Sequence, residues 1–181
     1  MKKVAIIDYK LNNLHSVYQA CVHVGFKPFF VSKRKEMKNY DAIIFPGVGS
    51  FPTAMKNLKK EKIDEELIKS VKKGCPIFGI CLGMQLLFSE STEFEKTNGL
   101  NLIKGSVSKF EKKKVCVIPH MGWNKIKFKK KIKVFDNVID NSYMYFVHSY
   151  YVKPKNKMGI ISITNYNGKI FCSSFMDNNI F

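Results

Sequence analysis

From the amino terminus, short apolar runs alternate with stretches of helical spacing. Residues 4–8 read as a buried strand, because consecutive apolar side chains leave no solvated face. Leu14, Val17, Cys21 and Val24 recur at three- and four-residue steps, which predicts a helix within residues 11–25 closed by Gly25. Residues 28–31 and 42–45 predict a second and a third strand. Residues 53–60 and 63–73 predict two helices, the second ended by Gly74. Residues 76–80 predict a fourth strand running directly into a helix from Cys81 to about Glu90. That order implies an α/β layered fold around a mainly parallel sheet.

The second half changes period. Residues 102–110, 115–118, 143–148, 158–166 and 169–175 read as strands, with Asn167-Gly168 as a hairpin turn. This predicts antiparallel strands added to the parallel sheet. No repeat, low-complexity tract or linker divides the 181 residues, so a single domain over 1–181 is expected.

Composition adjusts this picture in three places. The apolar run near the amino terminus is too short for a signal peptide, and no later run approaches the roughly 20 residues that cross a bilayer. A cytoplasmic protein without a membrane partner is therefore expected. The five cysteines are scattered and never form a C-x-x-C pair, which argues against disulfides and a zinc site. No metal and no cofactor is expected. The formal charge of +17 could signal nucleic acid, but its lysines are dispersed and only one arginine, Arg34, is present. A solvated lysine-rich surface is the simpler account, and nucleic acid is not the expected partner.

Gly79-Ile80-Cys81-Leu82-Gly83 lies where a buried strand meets a helix. Small residues flanking a nucleophile allow the sharp turn that lifts its side chain from the strand end, the geometry of a nucleophile elbow with cysteine for serine. A helix N-terminus there favours the thiolate, and the Leu82 N–H is placed to hold an oxyanion. Gln85, four residues on, shares a face with Cys81. Taken alone, the motif fits a buried cysteine between packing glycines equally well. A second glycine-rich stretch, Pro46-Gly47-Val48-Gly49, follows the third strand at the same carboxyl edge, where open α/β sheets bind ligands.

These two stretches, extended to Pro46-Gly47-Val48-Gly49-Ser50-Phe51 and Gly79-Ile80-Cys81-Leu82-Gly83-Met84-Gln85-Leu86-Leu87-Phe88, closely resemble the class I glutamine amidotransferases. Asp8-Tyr9, Asn13-Leu14-His15-Ser16-Val17, Pro119-His120-Met121-Gly122-Trp123-Asn124 and Tyr145-Phe146-Val147-His148-Ser149-Tyr150-Tyr151 follow the same pattern in order. Within the family they are most similar to the HisH-type glutaminase subunits of imidazole glycerol phosphate synthase. The resemblance implies a flavodoxin-like layered fold and hydrolysis of L-glutamine to glutamate and ammonia, with Cys81 as nucleophile. It implies Gly47, Val48 and Leu82 at the oxyanion, and Gln85, Glu93, Ser149 and Tyr150 around the glutamine. It also implies a HisF-type (β/α)8 synthase partner docked on a face including Asn13, Pro119, Met121 and Trp123. On residue type alone Glu93 is as readily a solvated charge and Trp123 is a core tryptophan, while the resemblance implies a structural His148, because the family takes its base from elsewhere.

Two departures qualify these expectations. Family members carry a His-Pro-Glu segment beyond the stretch matching residues 179–181, and its histidine is the general base. The sequence stops at Phe181, and His15, His23, His120 and His148 do not match that segment. A fragment of a longer subunit is expected, with a non-catalytic docking subunit as the alternative. Lys10-Leu11-Asn12-Asn13 replaces the usual glycines of the turn after Asp-Tyr and looks more like paralogues that supply ammonia for amidation of an N-acetyl sugar.

Overall fold

The computed structural model describes residues 1–11, 13–37, 39–112 and 117–181. Its centre is a parallel sheet of β1 (Lys3–Ile7), β2 (Lys27–Val31), β3 (Ala42–Gly47) and β4 (Ile77–Cys81), in the order β2-β1-β3-β4. Val4 to Ile7 are all buried, as a strand paired on both edges and covered on both faces requires. Helices α2 (Phe51–Lys60) and α3 (Ile63–Lys72) bury Phe51, Ala54, Met55 and Leu58, then Ile63, Leu67 and Val71. These side chains pack with Ala5, Ile7, Ile43, Phe45 and Ile77 of the sheet in one core. Helix α1 (Leu14–His23) buries only Cys21 fully. Right-handed crossovers place it on the opposite face from α2 and α3.

The turn after β4 differs from the sequence expectation. Helix α4 spans only Leu82–Leu86, and β5 (Phe88–Ser91) follows where the helix was predicted to continue to about Glu90. Leu86, Leu87 and Phe88 are all fully buried. Three consecutive buried positions do not fit one helical stripe, and such a run suits helix and buried strand alike until tertiary pairing decides.

Among the described residues the remaining strands form three further sheets. β5 pairs in parallel with β7 (Ile103–Lys109), flanked by β6 (Thr97–Asn98) and β11 (Tyr150–Pro154). β8 (His120–Lys125) and β10 (Tyr143–His148) make an antiparallel ribbon. β12 (Ile160–Tyr166), β13 (Lys169–Phe175) and β9 (Lys127–Phe128) make the third sheet. Asn167 and Gly168 both have positive φ, 47° and 88°, which is the turn predicted between β12 and β13. The predicted strand at 158–166 begins instead at Ile160, after a short helical turn over Lys157–Gly159. Of the predicted strand at 115–118, residues 115–116 lie outside the described residues, and 117–118 form a bend before β8.

Residues 179–181 run beside the free edge of β4. Ile77 N–H donates to the Asn179 carbonyl (2.9 Å), Phe181 N–H to the Ile77 carbonyl (2.9 Å) and Gly79 N–H to the Phe181 carbonyl (2.8 Å). Ile180 thereby pairs with Ile77 in parallel. Among the described residues no helix is long and apolar enough to cross a membrane.

Candidate active site

Cys81 stands at the turn from β4 into α4 with φ 55° and ψ −113°, a conformation that costs a non-glycine residue free energy. Its two glycine neighbours explain why the strain persists. A side chain at Gly79 would meet the Met84 backbone (2.8 Å), and one at Gly83 would overlap the carbonyl of Phe45 on β3. α4 therefore packs hard against two strands, and the tight fit holds Cys81 out at the sheet edge. The elbow predicted from the sequence is present.

One cleft of about 320 Å³ gathers Cys81, Leu82, Gln85, Val48, Gly49, Glu93, Pro119, Val147, His148, Ser149 and Tyr150. The Gln85 side-chain amide donates to the Tyr150 carbonyl (3.1 Å), which ties α4 to the start of β11. The Glu93 carboxylate accepts the Phe51 N–H (2.7 Å) at the start of α2, where a negative charge also complements the helix dipole. It is thus no free solvated charge, with Oε2 engaged by the Phe51 N–H. The Tyr150 hydroxyl accepts the Phe94 N–H, while burial and the nearby Glu93 charge push its ionisation upward.

Of the residues expected at an oxyanion, Val48 and Leu82 line the cleft, but the N–H groups of both are engaged elsewhere. Val48 N–H donates to the Leu11 carbonyl (2.7 Å), and Leu82 N–H points at the Cys81 sulfur. The electrostatics of Cys81 also differ from expectation. Burial pushes the thiol up, and the Leu82 N–H opposes this without overcoming it. A helix of five residues supplies little dipole, so desolvation prevails and the resting group is a thiol.

His148 shares the cleft but has no nitrogen to offer. Its Nδ1 lies 2.8 Å from the Tyr150 carbonyl, which can only accept, so Nδ1 carries the proton. Its Nε2 then accepts from His120 Nδ1 (3.0 Å), and His120 Nε2 accepts from Asn124 Nδ2 (3.2 Å). Every proton in this chain of groups is fixed by its neighbour. Burial holds both imidazoles neutral, pushing His120 down to about 4. His120 lies stacked against Phe146 and Tyr166, so the structural role expected for His148 extends to its partner. Sequence reading placed both histidines in motifs without seeing their contact, because 28 residues separate them.

The proposed docking residues lie together on the surface. Met121 and Trp123 on β8 pair in register with Val147 and Tyr145 on β10. All four are more than half exposed, Trp123 at 69%. Trp123 is therefore no core residue. Pro119 and Asn13 are also exposed, the first on the cleft rim and the second at the cap of α1.

Comparison with known proteins agrees with this geometry. The glutamine amidotransferase class-I family model matches residues 5–181. The imidazole glycerol phosphate synthase subunit HisH of Chlorobaculum tepidum is 41% identical over 178 residues, covering 98% of this chain and 88% of that protein. The subunit of the same name from Caldanaerobacter subterraneus subsp. tengcongensis is 43% identical, covering 97% and 85%. Among solved structures, PurLQS from Thermotoga maritima superposes with a TM-score of 0.69 at 21% identity, covering 99% of this chain and 85% of that one. That likeness shows the fold alone. The family match over nearly the whole sequence, joined to a strained cysteine elbow at the edge of a parallel sheet, establishes that the chain belongs to the class I glutamine amidotransferases.

Proposed function

We propose that the chain is the glutaminase subunit of an imidazole glycerol phosphate synthase, passing ammonia to a HisF-type (β/α)8 partner in the cytoplasm. The observation that carries the reading is the single cleft uniting Cys81 with Gln85, Glu93, Ser149 and Tyr150. Two curated relatives above 40% identity bear that subunit name.

In this reading Cys81 Sγ attacks the side-chain amide carbon of glutamine. The carbonyl oxygen becomes an oxyanion, ammonia leaves, and water cleaves the glutamyl thioester to glutamate. A free amino acid carries an ammonium and a carboxylate. Glu93 would face the ammonium, and Gln85 with the 149–150 backbone would orient the rest. The thiol needs a base, and both ring nitrogens of His148 are engaged.

Oxyanion stabilisation requires Val48 N–H to leave the Leu11 carbonyl and face the cleft. The Leu11 carbonyl holds that N–H in the present arrangement, and a partner docked beside Asn13 and Pro119 would act on the same turn. The apolar face of Met121, Trp123, Tyr145 and Val147 supports docking by a protein surface. The test adds the purified cyclase partner, its nucleotide substrate and glutamine. Imidazole glycerol phosphate is the expected product. An active glutaminase that yields none would favour the sugar-amidating relatives, for which Lys10 in the turn after β1 speaks.

A further inference from the structure

Under the oxyanion turn lies a polar group that no step above uses. Tyr9 follows β1 and is 2% exposed. Its ring sits edge-on to Phe45 at 5.5 Å, and its carbonyl accepts the Asn57 side-chain amide (2.9 Å), so it is fixed at both ends. Its hydroxyl is fully buried and has no hydrogen-bond partner among the described residues. The oxygen rests directly against Gly47, where any side chain would collide with it, and the same position is 3.1 Å from the Leu82 Cβ. The idle hydroxyl thus lies between two of the three oxyanion residues.

A buried hydroxyl without a partner costs about 1–3 kcal/mol, and a phenylalanine would fill the same space without that cost. Burial and the neighbouring Cys81 both push the phenol's ionisation upward, so at any working pH it remains a donor. The acceptor is set by the geometry of one peptide unit. The Gly47 carbonyl and the Val48 N–H share a plane and point in opposite directions. When Val48 N–H turns from the Leu11 carbonyl into the cleft, the Gly47 carbonyl swings to the side the N–H has left. The Tyr9 hydroxyl, packed against Gly47, is a donor beside it.

We propose that Tyr9 is a positioning residue, whose hydroxyl donates to the Gly47 carbonyl once the 47–48 peptide turns Val48 N–H toward the substrate. The turn then exchanges one hydrogen bond, Val48 to Leu11, for another, Tyr9 to Gly47. It also satisfies a hydroxyl that the resting state leaves unpaired. The two states are brought close in free energy, so a modest ligand preference suffices to shift between them. Gly47 permits both the rotation and the close approach.

The inference rests on the glutaminase reading of Cys81, and the test separates the two. Tyr9→Phe is compared with the unmodified protein, each in complex with the synthase partner, in its reaction with a chloroketone analogue of glutamine and with iodoacetamide. The first passes through a tetrahedral oxyanion before sulfur displaces chloride. The second displaces iodide directly and needs no oxyanion site. Tyr9→Phe is expected to slow chloroketone inactivation about tenfold through its maximal rate, without changing half-saturation. The iodoacetamide rate should stay the same, and the melting temperature should hold or rise. 3-Fluorotyrosine at position 9, a stronger donor of nearly equal size, should restore the chloroketone rate. An unchanged chloroketone rate in Tyr9→Phe, or equal slowing of both reagents with a lower melting temperature, overturns the proposal. A native protein that shows no glutamine-protectable labelling overturns the glutaminase reading, and this proposal with it.

Discussion

Two glycine-containing turns meet at the active edge of the sheet, and they are held in opposite ways. The turn at 79–83 is fixed by steric contact. Gly79 lies against Met84, Gly83 against the Phe45 carbonyl, and between them Cys81 carries a left-handed φ of 55°. The turn at 46–49 packs as closely at Gly47, against Tyr9 and Leu82, but beyond it polar pairing sets its direction. Val48 is 55% exposed, Gly49 has φ 102° with only Leu11 nearby, and a single N–H bond to Leu11 sets its direction. Close packing admits no intermediate arrangement, whereas one hydrogen bond can be exchanged for another at small net cost. The Cys81 turn is therefore the more rigid of the two, and the Val48 N–H the more readily redirected.

The contrast can be broken first at its fixed pole. Cys81→Ala should lower glutamine hydrolysis by the synthase complex by at least about 10³-fold, with little change in melting temperature, because Cys81 opens onto the cleft. Ammonia release and a thermal melt check both halves. Gly83→Ala should cost about 3 kcal/mol in denaturant unfolding, because the Phe45 backbone cannot move aside without disturbing β3. Val48→Ala should cost within about 0.5 kcal/mol by the same measurement. Equal costs at the two positions would remove the distinction between steric and polar fixation.

Smaller effects sharpen it further. Trp123→Ala should weaken partner binding by about 2 kcal/mol, near 30-fold in dissociation constant, while leaving unfolding unchanged, since its ring is exposed. Titration calorimetry and a melt distinguish the two. The His120–His148 pair predicts a gentler dependence on pH. Both imidazoles are held below the ordinary 6.5 in the folded state, His120 at about 4. Between those values the unfolded chain binds more protons than the folded one, so stability is full above pH 6.5 and declines as pH falls toward 4. Unfolding free energies at pH 7 and pH 5 should show that decline, and His120→Gln should reduce it.

Much of the parallel half was legible because its signals are local. Buried strands showed as apolar runs, α2 and α3 as three- and four-residue stripes, and the hairpin at Asn167-Gly168 as turn chemistry. The limits of that reading appear at Leu86 to Phe88, where an apolar run suited helix and strand equally and pairing with β7 decided. Strands β8 and β11 carried recognisable motifs but no alternating pattern, because aromatic and polar groups occupy their inner faces.

The sequence by itself determined the family, the nucleophile and the two glycine turns, because a sharp turn around a reactive side chain demands particular residue types at fixed spacing. Only the tertiary structure decided the state of each group. It showed Val48 N–H on the Leu11 carbonyl 37 residues away, Glu93 on the start of α2, and the imidazole of His120 on that of His148. It also left the Tyr9 hydroxyl buried without a partner among the described residues. Hydrogen-bond direction and desolvation depend on what packs across the core, and contacts between residues distant in the chain leave no mark on local pattern.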